Sequence, residues 1–328
     1  MSDARRAQSR RPKARAPTHD PATATRSSAA AALGFVPTPH SEPALRALVD
    51  PHRGAPALDL PTALALTQGR HGVDFTRARA RAGIARGHLI DIILELPGGR
   101  GNADEQAAAD TLLGLVLGEA RFADWVGQVS VLPAPRGGAL NVVQTRPEKG
   151  LFFPLADLAT IITAAVTGIH GGLASVPLCA LGGEQRWFLF ELDPDPRAEN
   201  SAQSDVVLVS TFMPELLKCY LSGAPFASTR FSRHGELFAY FQYENRERDP
   251  RRALAQRRVL EDALDAALVT ELAGRVIGSG MGIVYSYVNL ALHRVAQALD
   301  VVHEVAAKVG VAAPKSGIRF CDTALEQP

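Results

Sequence analysis

One order of elements can be read twice along this chain: strand, helix, strand, strand, helix, strand. The first pass runs from His88 to Asp193 and the second from Asp205 to Leu292. A sheet of that order buries one face under its two helices, so the repeat predicts an α+β protein of two tandem ferredoxin-like (βαββαβ) sandwiches. A helix over Val295–Val309 and a strand over Ile318–Cys321 follow as a C-terminal αβ extension. An alternative grouping joins Leu237 to Cys321 as one β-α-β-α-β unit.

Local signals support the individual elements. His88–Leu96 is rich in β-branched residues, as a buried strand requires. Asn102 is placed to cap the next helix, with Asp104 and Glu105 in its first turn complementing the dipole. Trp125–Leu132 and Ala139–Thr145 read as a hairpin, Pro154–Ile169 as a helix ended by Gly171-Gly172, and Arg186–Leu192 as a fourth strand. In the second pass Val206–Val209 is a strand. Ser210 or Thr211 opens a helix with Pro214 in its first turn, ending by Gly223. Thr229–Ser232 and Leu237–Tyr243 read as a hairpin, Ala253–Leu272 as an amphipathic helix and Ile283–Leu292 as the closing strand.

Residues 1–57 are dominated by Ala, Pro, Arg, Ser and Thr without a sustained period, so a disordered tail is expected there. Its first 16 residues carry Arg5, Arg6, Arg10, Arg11, Lys13 and Arg15 against Asp3, which would favour an acidic partner. Residues 58–87 are expected to be a linker or short helix, with Thr76–Arg86 as a short solvated helix or linker. The two folded units are expected at 88–195 and 204–328. The formal net charge of +1 gives the whole molecule no strong field for nucleic acid or membrane. Cys179, Cys219 and Cys321 are widely spaced, which fits neither a disulfide framework nor paired zinc ligands. They point to the cytoplasm, as does the lack of an apparent membrane-length apolar run. No cofactor and no metal site is expected; the acids Asp193, Asp195 and Glu199 are read as a rigid proline-bounded turn.

Arg233-His-Gly-Glu236 resembles the opening motif of the histidine phosphatase superfamily, where a histidine accepts phosphate between arginines. That motif follows the first strand of a large doubly wound domain; here it falls on an expected hairpin turn, with Gly235 at its positive-φ position. Phe238-Ala-Tyr-Phe-Gln-Tyr243 resembles the end of the RNP1 motif of RNA-recognition modules, but Glu236 and Leu237 replace the motif's basic residue and glycine. Gly98-Gly-Arg-Gly-Asn102 is a strand-to-helix turn whose N–H groups could hold an anion. It lacks the Lys-Ser/Thr of a phosphate-binding loop. His170 is read as a helix C-cap and Cys219 as core.

Three functions follow as expectations. The leading one is a cytoplasmic binding or assembly protein, with a protein partner held through sheet faces and edges. The second is an enzyme on a small anionic substrate, with His234 and Glu236 catalytic and Arg230, Arg233 and Asn102 binding the anion. The third is a single-strand RNA binder using Phe238, Tyr240 and Tyr243.

Overall fold

A computed structural model describes residues 54–134, 151–193, 205–245, 249–311 and 316–323. The expected tail up to residue 53, the strand Ala139–Thr145 and the acids Asp195 and Glu199 lie outside the described residues.

The first sheet is built on β2 (Ile90–Leu96), whose residues alternate strictly between buried and half-buried. Ile90, Ile92, Leu94 and Leu96 face the core, each contributing about 1.5–3 kcal/mol of burial. Helix α2 (Ala103–Leu117) meets them with Ala108, Ala109, Leu112, Leu113 and Val116, spaced one helical turn apart. Asn102 caps α2 as expected, its side chain accepting from Glu105 N at 2.9 Å. After a second short helix, α3 (Glu119–Trp125), the chain enters β3 (Val126–Pro133), which lies beside β2 and parallel to it. The other side of β2 pairs with β1 (Arg79–Ile84), and β4 (Phe153–Pro154) closes the edge.

The expected solvated helix at Thr76–Arg86 is therefore an inner strand. Its Arg-Ala alternation puts Ala80 and Ala82 on the core side and Arg79 and Arg81 on the open side, with both guanidiniums over the Phe152 ring. The helix of this region is α1 (Leu60–His71), capped by Asp59 and ended by Gly72 at φ 71°. Residues 55–58, four residues that straddle the expected boundary at 57, are pinned to the α2–α3 corner: Leu58 N donates to Leu115 O and Glu119 N to Ala55 O.

Helix α4 (Leu158–Gly172) buries only the line Leu158, Ile162 and Ile169. Leu155–Gly172 is the one described segment whose length and composition match a membrane span, at 18 residues with mean hydropathy 1.2. It qualifies the reading that no apolar run approaches that length.

The second sheet has six antiparallel strands in the order β10-β7-β9-β8-β6-β5. These are β5 (Phe188–Glu191), β6 (Val206–Thr211), β7 (Leu237–Glu244), β8 (Gly274–Gly282), β9 (Tyr285–Leu292) and β10 (Gly317–Phe320). Helix α6 (Pro250–Thr270) connects β7 to β8, and α7 (Val295–Val309) connects β9 to β10. The run β7-α6-β8-β9-α7-β10 thus carries the fourth, first, third, second strand order of one ferredoxin-like unit, spanning Leu237–Phe320.

This corrects the tandem expectation in two places. Strand β5, expected to close the first unit, extends the second sheet beside β6. In the first sheet β2 and β3 touch in parallel, whereas a split βαβ unit would hold a third strand between them.

Both faces of the second sheet are covered. Leu260, Leu264 and Leu268 of α6 and Val295, Ala298 and Val302 of α7 pack under one face. The other lies under α5 (Pro214–Leu221) and the segment 224–236, which brings Phe226 and Phe231 onto Phe238. The expected hairpin strand Thr229–Ser232 is not a strand. Ser228–Arg230 is a single 3₁₀ turn, and the segment crosses the sheet instead of pairing with it.

Candidate functional site

The segment from Phe226 to Glu236 joins α5 to β7 and separates two cavities of about 630 and 380 Å³; Ser232, Arg233 and Glu236 line both. Five other parts of the chain fix its shape. His88, just before β2, places Nδ1 2.8 Å from Arg230 O, and His170 of α4 places Nε2 3.0 Å from Thr229 O. A carbonyl only accepts, so each of these ring nitrogens carries the proton. Asp322, beyond β10, accepts from Ser228 N at 2.7 Å and from Ser228 Oγ. Leu178 N donates to Glu236 Oε1 at 2.5 Å. Asp124 of α3 accepts from Thr229 Oγ1 at 3.3 Å and offers its carbonyl to Arg230.

Arg230, expected to bind an anion, is fully buried and serves as an internal strut. Its NH1 donates to Asp124 O at 2.7 Å, and its NH2 donates to Pro225 O and to Cys219 Sγ. Burial lowers its pKa, opposed by the neighbouring Cys219, Asp124 and Asp322. Burial likewise pushes the Cys219 thiol up against the pull of Arg230, and Cys219 packs fully buried among Phe226, Phe231 and Phe238 as a core residue.

Arg233 is exposed, anchored by Nε to Ala174 O at 2.9 Å. His234, the catalytic candidate beside it, is half-buried and turned to the smaller cavity, with Nε2 3.2 Å from the same carbonyl. Gly235 supplies the turn's φ of 73°. Glu236 is only 2% exposed; it accepts from Ser232 Oγ and Leu178 N, two neutral donors.

Asn102 lines neither cavity. The anion position in its turn is filled from within: Glu105 accepts from Arg100 N and Gly101 N. The three aromatics assigned to RNA are all in cores, Phe238 with Phe226 and Phe231, Tyr240 with Tyr287, and Tyr243 under α6. A stacking platform needs open ring faces, so these residues do not form one.

The larger cavity has apolar walls from Leu117, Ala120, Trp125 and Val166. Asp124 and Glu236 lie buried within it, while Arg121 and Arg233 stand exposed. Arg121 is anchored by one N–H to Thr163 Oγ1 at 3.0 Å. Trp125 meets the edge of His170 at a 5.1 Å centroid distance. Arg121, Asp124, His170 and Asp322 had no place in the expected site, because nothing near them in sequence marks them as partners of residues 228–236. Among the described residues no group of three metal-ligating side chains occurs. No protein-family model matches the chain, and neither a curated protein nor a solved structure does.

Proposed function

We propose that this protein binds a small organic anion in the 630 Å³ cleft beside Ser228–Glu236. A cleft of this size with apolar walls and a few fixed polar groups is the usual form of a small-molecule site. The observation that carries the reading is the pair of exposed guanidiniums at one cavity. Arg121 and Arg233 each spend one N–H on the protein, which orients the fork and leaves other N–H groups for a carboxylate or phosphate. Binding is favoured over catalysis because Glu236 is already held by two donors and His234 faces a backbone carbonyl.

Isothermal titration with aryl carboxylates tests this. Arg121→Ala and Arg233→Ala should each weaken binding about tenfold or more, roughly 1.4 kcal/mol, with the fold intact. Unchanged affinity in the double variant would overturn the proposal.

A second reading, a protein-binding sheet edge, is favoured by β5. Leu189 on this edge strand is 65% exposed and Trp187, just before it, 50%; among the described residues the strand pairs only with β6. Leu189→Lys should abolish any self-association or partner capture without changing the thermal midpoint. If association is unaffected, the edge is not the contact.

A further inference from the structure

The charges in the larger cavity are arranged in two layers, and the arrangement restricts what the cleft can hold. Arg121 and Arg233 are exposed, at the mouth. Asp124 and Glu236, 4% and 2% exposed, are at the floor. The apolar side chains of Leu117, Ala120, Trp125 and Val166 line the same cavity. A ligand that is only an anion would gain from the guanidiniums and be repelled by Glu236 below, whereas the charge of Asp124 is offset by Arg230 beside it. The repulsion is strong where water is excluded. A ligand that is only a cation would face the reverse.

Resting on the anion-binding proposal above, we propose that the ligand is a zwitterion with an apolar body: an α-amino acid with a large side chain, or a close relative. Its carboxylate would meet Arg121 and Arg233. Its ammonium would reach Glu236, whose present partners, Ser232 Oγ and Leu178 N, bring no positive charge to it. Buried carboxylates are ordinarily paired with a cation, and a ligand's ammonium provides one. Thr229 Oγ1, whose proton goes to Asp124, can still accept from one of the ammonium N–H groups.

Three probes of nearly one shape separate the charges: 3-indolepropionate, tryptophan and tryptamine, titrated calorimetrically into the full chain near neutral pH. Tryptophan should bind at least tenfold more tightly than either of the others. Glu236→Gln should reduce that preference over indolepropionate to about twofold or less. The variant's thermal midpoint establishes that it is folded, and the three-probe comparison on the unaltered chain decides the proposal even should Glu236→Gln fail to fold.

The outcomes are distinct. Indolepropionate binding as tightly as tryptophan would overturn the zwitterion and leave the anion site standing. Tryptamine binding as tightly as tryptophan would overturn the anion site itself. Binding of none of the three at millimolar concentration would overturn both.

Discussion

His88 and His170 grip consecutive carbonyls of one loop from separate elements: His88 reaches Arg230 O at 2.8 Å and His170 reaches Thr229 O at 3.0 Å. The first comes from the turn before β2 and the second from the last turn of α4, so the first layer of the molecule sets the shape of a segment lying on the second sheet. The loop is held before any ligand arrives, which is the condition for a site that does not have to order itself on binding.

Removing the strut inside this loop should be costly. Arg230→Met leaves the carbonyls of Asp124 and Pro225 without their donor and removes the positive charge beside Asp322. Breaking a buried charge network of this kind costs about 3–5 kcal/mol. Arg230→Lys should restore little, since one ammonium cannot reproduce the planar fork. Urea denaturation midpoints measure both; a loss under about 1 kcal/mol for Arg230→Met would contradict the strut.

Asp322→Ala removes the acceptor of both Ser228 N and Ser228 Oγ. A loss of about 1–3 kcal/mol follows from leaving those buried donors unpaired. Amide hydrogen exchange should rise at residues 228–232 while β2 stays protected. Exchange that rises evenly over the chain would mean that Asp322 supports the whole sheet and not this loop.

His234→Ala should fold normally, with a change of about 0.5 kcal/mol or less, and should keep anion binding in the larger cavity. The side chain is half-buried and belongs to the smaller cavity. A folded variant without binding would move the site to His234.

Tyr243 gives the stability curve an alkaline limb. Burial raises its pKa from 10 to about 12. A raised native pKa means that stabilisation is complete below the unfolded value near 10 and is lost as pH rises through 12. Two units correspond to roughly 2–3 kcal/mol. Tyr243→Phe should flatten the curve between pH 10 and 12 relative to wild type. Identical curves would show that the phenol ionises alike in both states.

Gly278→Ala should destabilise by about 1–3 kcal/mol, because an added Cβ would come within 2.6 Å of Ser210 O on the neighbouring strand. The same contact explains why β8 is illegible in the sequence. Gly274, Gly278, Gly280 and Gly282 lower its strand propensity, and the need for them appears only once β6 and β9 are packed alongside. Strand β1 hid for another reason: alternating arginines look solvated until Phe152 lies under them. By contrast α7 and β7 were readable, the first from its helical apolar period and the second from a run of aromatic and aliphatic residues. The charged residues of the loop bearing Arg233 and Glu236 are plain in the sequence, but its course is not. Phe226 and Phe231 are drawn onto Phe238, and Arg230 onto Asp124 O, by partners that no local pattern announces.

The order of the strands has a consequence during synthesis. β2, α2 and β3 are close in sequence and can settle early as the chain emerges. Ser228 waits for Asp322, 94 residues later. A nascent chain halted between them would carry the first sheet folded and the loop loose. The loop beside the cleft therefore takes its final shape only after Asp322, beyond β10, has emerged.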